Sequence, residues 1–177
     1  TDDDLFINNF NLNDSKMFSD NNFIFSLRLS KNISYSYNLQ KKIKVPYLRK
    51  LNFKNYYKFK WFETDGEWNY PWSVNGHIYS LTDILILSSI CDYNAPNSYE
   101  AALQSFNFYG KKKIGICGEK SFLINLPVNI TQNEIKNKSG NIKLDEYLNA
   151  WEEKKKLNIT VLEKYNPYSV HEEHILP

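Results

Sequence analysis

The chain has 177 residues, 42% hydrophobic and 16% aromatic, with 22 Lys and Arg set against 20 Asp and Glu. That is enough length and apolar content for one domain with its own core. A formal charge of +2 with no clustered basic face gives no basis for nucleic-acid binding. No apolar run reaches membrane-spanning length. Cys91 and Cys117 lie far apart, in no zinc-like spacing and with no disulfide framework. The first residues are acidic rather than basic and apolar, so no secretory leader is visible and a reducing, cytoplasmic setting is expected.

The chain opens TDDDLFINNF, three acids set directly against Leu5, Phe6 and Ile7. On a strand, Asp2 and Asp4 would point to one side. Two convergent carboxylates suit a hard divalent cation that keeps its other positions for water and phosphate. A solvated acidic terminus is the plainer alternative.

FIFSLRLS (Phe23 to Ser30) and ISYSY (Ile33 to Tyr37) alternate large apolar and small polar residues, the period of half-buried strands. Lys41 to Val45, stopped by Pro46, reads as a loop, and Tyr56 to Phe62 as another strand. TDGEWNYPWSVNGH (Thr64 to His77) is punctuated by Gly and Pro and reads as a long aromatic loop, the kind of segment on which sites sit. Ser80 with Asp83 three residues on predicts a capping box opening a buried helix, and Asn97 with Glu100 predicts a second. Ser121 to Ile130 reads as a strand ending at Pro127. In KLDEYLNAWEEKKK, the spacing of Leu144, Tyr147, Leu148 and Trp151 predicts an amphipathic helix with that stripe inward. Lys154 to Lys156 would then sit in its last turn, where cations complement the helix dipole. With no repeat and no linker, the expectation is one mixed α/β unit, a mixed sheet with flanking helices over residues 1–177.

Several side chains could carry chemistry. Asp65 and Glu67, in the aromatic loop, could act as a general base, though Asp65-Gly66 is also turn chemistry. His77 follows a flexible Asn-Gly and either faces a cleft or bonds to backbone as a turn histidine. His171 and His174 in HEEH lack the spacing of zinc proteases. Glu100 is accounted for by capping. Gly115 and Gly118 do not form a dinucleotide fingerprint, and no Ser/His/Asp or Cys/His arrangement supports covalent hydrolysis.

Taken in order, TDDDLF, FSLRLSKNISYSY, WNYPWSVNGHIY, APNSYEAAL, INLPVNITQN and SVHEEH resemble the GT-A-fold nucleotide-sugar glycosyltransferases of bacterial surface-polysaccharide loci and large-virus glycoprotein pathways. The resemblance runs from Thr1 almost to Pro177. It implies the C-terminal, acceptor-side portion of a GT-A-like fold, with an N-terminal nucleotide-binding half lying ahead of the acidic motif. It further implies that Asp2 and Asp4, assisted by Asp3, hold Mn²⁺ or Mg²⁺ against the donor diphosphate, with His171 first and His77 second as the completing ligand. Trp68, Tyr70 and Trp72 would wall the acceptor glycan or glycoprotein, and Arg28 would bind an anionic donor or acceptor group. Where the family often has Asp before Gly-His, this chain has Asn75, leaving Asp65 or Glu67 as base and Asn75 as an acceptor contact. Two other readings compete: a non-catalytic carbohydrate-binding module using the aromatic loop as its platform, and a structural or partner-binding domain.

Overall fold

The computed structural model describes residues 3–16, 20–127, 143–156, 158–162 and 165–172. Its strands are β1 (Asp4–Phe6), β2 (Phe23–Ser30), β3 (Tyr35–Ser36), β4 (Lys41–Lys42), β5 (Arg49–Lys50), β6 (Tyr56–Lys60), β7 (His77–Ile78), β8 (Ile114–Gly118) and β9 (Leu123–Asn125). Its α-helices are α1 (Leu12–Ser15), α2 (Leu81–Ile90), α3 (Pro96–Gln104), α4 (Asn107–Gly110) and α5 (Leu144–Glu152). The fold is mixed α/β, as expected. A five-stranded sheet runs in the order β5-β6-β8-β2-β7, and β1 pairs separately with β9. Only β2 and β8 run parallel in the large sheet; its other pairings are antiparallel.

β2 departs from the half-buried strand its alternation predicts. It is interior to the sheet, and every residue from Ile24 to Ser30 is buried. Its register with β8 shifts between Ser26 and Ser30, and the Ser26 hydroxyl accepts the backbone N–H of Leu29 there. β2 advances from Ser26 to Ser30 while β8 advances only from Cys117 to Gly118, and such an odd excess of residues inverts the facing of those beyond it. Phe25 and Leu27 accordingly join one apolar cluster with Tyr56 and Ile116, while Ile24 and Leu29 join the other with Phe59, Trp61, Trp68 and Trp72. The buried polar residues of β2, Ser26, Arg28 and Ser30, therefore face protein where a half-buried strand would face water.

Other local differences have equally local causes. Lys41 and Lys42 form a short strand paired with β3 rather than a loop. α3 starts at Pro96, ahead of Asn97, because proline has no N–H to lose at a first helical position; Ser98 accepts the Ala95 N–H instead. Asp83 is buried, and the Ser80 hydroxyl turns to Asn21, so no capping box closes. α2 is exposed along much of its length rather than buried. α5 also exposes Leu148 and Trp151, contrary to the inward stripe, and ends before the lysine run. Lys154 has a positive φ of 59° and Lys155 pairs with Glu153 at 2.5 Å.

Candidate functional site

Three segments remote in sequence meet at Asn125. Its backbone pairs with Asp4 of β1 on one side and forms a parallel bridge with His171 on the other. The Asn125 N–H donates to the Val170 carbonyl and the Glu172 N–H to the Asn125 carbonyl, both at 3.0 Å. The side chain repeats this link: Asn125 Nδ2 donates to Asp4 Oδ1 at 3.0 Å, and its Oδ1 lies 2.9 Å from His171 Nδ1. An amide oxygen can only accept, so His171 carries its proton on Nδ1 and presents Nε2 as a lone pair. Burial first, then the positive charge of Arg28, lowers the His171 pKa to about 3, against an opposing pull from Asp4. The imidazole is therefore neutral at physiological pH and able to ligate.

The aromatic loop forms the other half of the site. Its buried backbone groups need partners, and side chains from several elements supply them. His77 Nδ1 donates to the Pro71 carbonyl at 3.0 Å, as does the Tyr79 hydroxyl at 3.3 Å. Tyr79 also bonds the Ser73 carbonyl. Gln104 donates to the Trp72 carbonyl at 3.1 Å, and Glu100 accepts the Val74 N–H at 3.0 Å. Glu100 is thus a strut between α3 and the loop rather than a cap. Gly76 has a φ of +63°, and a Cβ there would stand 2.6 Å from Arg28 Cγ, so the Asn-Gly turn is what lets Arg28 pass beneath the loop.

Arg28 is the centre of this arrangement. It is buried, its Nη2 donates to the Ser73 hydroxyl at 2.9 Å, and its Nε–H has no protein acceptor. Its charge acts on Glu67, Tyr70, His77, Tyr79 and His171. Glu67 is buried, with Oε1 accepting from Ser36 at 2.9 Å and Oε2 buried without a partner. Desolvation raises its pKa above the ordinary carboxylate value despite Ser36 and Arg28, which pull it down. Asn75 Oδ1 and His77 Nε2 are also buried without protein partners. Four such atoms, on residues gathered about one guanidinium, mark a polar cluster that the protein does not itself saturate. Tyr70 and His171 are half-buried, at its boundary with solvent.

The residues singled out from sequence separate here. Arg28, Glu67, Tyr70, Asn75 and His77 belong to the Arg28 cluster, and Asp4 and His171 to the Asn125 linkage, on which Arg28 acts through His171. Asp3 lies beside Asp4, its carbonyl accepting from Leu126 N–H at 2.8 Å. Asp2 and His174 are outside the described residues. Asp65 stands apart: it is exposed and bonded to Lys41 at 3.1 Å. Trp68 and Trp72 are not a stacking wall. Both are fully buried, their indole N–H groups spent on the carbonyls of Ile33 and Phe106. Large aromatics in a Gly- and Pro-rich loop fill the core because such a loop packs against the sheet rather than standing off it. His77 follows its backbone-bonded alternative, packing with its ring centroid 5.4 Å from that of Trp61. Burial and Arg28 lower its pKa to about 3 with no carboxylate opposing them, so the cation nearest it already disfavours a second.

Asn125, Ser73 and Ser36 were not singled out. The signal for Asn125 was a lone polar side chain within FLINLP, an apolar run. Ser73 and Ser36 carried none, since each is a single serine between large residues, Trp72 and Val74 or Tyr35 and Tyr37, with no motif about it. Among the described residues no three His, Cys, Asp or Glu side chains group as a metal site; Asp4 and His171 could each give one donor to a hard cation. No protein-family model, no curated protein and no solved structure matches this chain. Among the described residues no helix is long and apolar enough to cross a membrane.

Proposed function

We propose that the chain is the acceptor-side portion of a metal-dependent glycosyltransferase of GT-A type, working in the cytoplasm and moving a sugar from a nucleotide-sugar donor to a glycan acceptor. The observation that carries this reading is the Asp4–Asn125–His171 linkage, close enough to Arg28 for its charge to act on His171. It joins the acidic segment, the Asn125 strand and the C-terminal histidine at one place. Asp4 and His171 fit a Mn²⁺ or Mg²⁺ ion in kind: a carboxylate oxygen suits these hard cations, and Asn125 fixes the imidazole tautomer that has its lone pair on Nε2. Bound there, the metal supplies a Lewis acid against the charge of the departing diphosphate.

The chain's own residues do the rest. Asn125 fixes the direction of both donors. Arg28, with a buried N–H unspent, holds an anionic oxygen of the donor or acceptor. Glu67 is the better general base of the two candidates, since its raised pKa makes it the stronger acceptor of a hydroxyl proton at neutral pH. Asp65 is solvated and paired with Lys41, on the surface. Tyr70 and Asn75 remain acceptor contacts. Burial of Trp68 and Trp72 removes the platform that a sugar-binding module would need and equally the acceptor wall expected of the transferase, so an acceptor would meet Tyr70 rather than a tryptophan face.

The test is release of nucleoside diphosphate from a panel of sugar nucleotides by the full-length protein with Mn²⁺ or Mg²⁺. Turnover that is lost in Asp4→Ala and His171→Ala is the expected result. Metal-independent turnover, or none with any donor, would overturn the reading.

A further inference from the structure

α2 is built the wrong way round for a helix on a water-facing surface. Its outward residues are Leu81, Thr82, Leu85, Ile86, Ser89 and Ile90, a stripe without a single charge. Leu81 is 72% exposed, Leu85 60%, Ile86 56% and Ile90 60%. Its one charged residue, Asp83, points inward to Lys113 at 2.6 Å and Tyr109 at 2.8 Å. A solvated helix hides its apolar face and shows its charges. This one does the reverse, so its outer face is made to be covered.

The surroundings indicate by what. Because Asp83 holds Tyr109 and Lys113, the segment from Phe108 to Lys113 runs beside the first turn of α2. Phe108 is exposed there, with Lys112 Nζ 5.6 Å from its ring centroid. Next to it, Lys60, Phe62, Lys111, Lys112 and Ile114 line a shallow open depression of about 420 Å³, with Lys60 Nζ 5.8 Å from the Phe62 ring. Exposed aliphatic and aromatic side chains flanked by lysines are the composition of a face that lies in a bilayer interface, where apolar groups enter the acyl boundary and lysines meet anionic headgroups. Ten residues of helix span only about 15 Å, which suits a helix lying on a membrane and not one crossing it. A second copy of the chain is the poorer occupant, since a twofold contact over this face would bring the same lysines towards one another.

We propose that the outer face of α2, with Phe108, Lys111 and Lys112 at its flank, docks the protein peripherally onto an anionic lipid surface. The assignment stands independently of the transferase reading.

Flotation of the full chain with phosphatidylcholine vesicles, with and without phosphatidylglycerol, tests it. Binding to the anionic vesicles should exceed binding to the neutral ones by about tenfold or more, and raised salt should weaken it. Leu85→Glu with Ile86→Glu, and separately Lys111→Glu with Lys112→Glu, should each lower binding about tenfold while leaving the melting temperature near wild type, since all four side chains stand off the core. Equal binding to both vesicles, no binding, or unchanged binding by the variants would overturn the proposal. So would a dimer in sedimentation analysis that Leu85→Glu dissolves while vesicles remain unbound.

Discussion

Two of the buried polar clusters among the described residues differ in one respect that separates scaffold from site. At the first, Lys113 and Asp83 are both 5% exposed and bonded at 2.6 Å. Tyr109 donates to Asp83, and Lys113 also reaches the Asn21 carbonyl and the Tyr109 hydroxyl. Every charge there is answered by protein. At the second, around Arg28, four buried polar atoms on Arg28, Glu67, Asn75 and His77 have no protein partner. A saturated network locks elements together: here α2, α4 and the start of β8. An unsaturated one carries a desolvation cost that only a ligand or water can offset.

The contrast can be broken most forcefully at the saturated cluster. Lys113→Met strands a buried carboxylate and should cost about 3–5 kcal/mol. Combining it with Asp83→Leu should recover most of that, as urea midpoints will report. At the unsaturated cluster the balance should invert. Glu67→Gln keeps the shape and the Ser36 contact, so stability should shift by less than about 1 kcal/mol, while nucleotide release falls about a hundredfold or more. A loss of stability without a loss of turnover would assign Glu67 to the scaffold.

Smaller effects sharpen the same comparison. Gly76→Ala must place a Cβ against Arg28 at a positive φ, and should cost about 1–3 kcal/mol while displacing the guanidinium. For His77 and His171 the folded pKa, about 3, lies below the unfolded value of 6.5. The unfolded chain therefore binds more protons between pH 6.5 and 3. Stability is fully present above that window and is lost as pH falls through it. Each imidazole should account for about 2 kcal/mol between pH 7 and 5, and His171→Gln should make the stability–pH slope shallower. Glu67 acts in the opposite sense: its raised pKa adds stability below the ordinary carboxylate value of 4.5, lost as pH rises through the folded value. The least effect is expected of Asp65→Asn, whose exposed pair with Lys41 should be worth no more than about 0.5 kcal/mol, with turnover unchanged.

Much of the fold was legible in the chain. The strands at Phe23 to Ser30 and Tyr56 to Lys60 and the helices at Leu81 and Pro96 declare themselves through local patterns of apolar, β-branched and aromatic residues. Nearest-neighbour preferences act over a few residues, so sequence reports them well. Facing is harder. In α2 the periodicity is nearly absent because Leu and Ile occur on both sides, and only the tie from Asp83 to Lys113 shows which side is inward. In β2 the alternation is real but misleading, since its polar residues face protein and not water.

What the sequence determined by itself is the inventory: a mixed α/β unit, an acidic segment, an aromatic loop carrying Glu67 and His77, and a terminal histidine. What only the tertiary structure decided is which of these meet. Asp4, Asn125 and His171 are separated by 121 and 46 positions and brought together by backbone pairing at β9, a register no local preference specifies. Burial likewise settled that Trp68 and Trp72 are core, and that Glu67, two residues from the solvated Asp65, is desolvated. Both carboxylates read alike in the chain, because desolvation is a property of the packing around a group and not of the group itself.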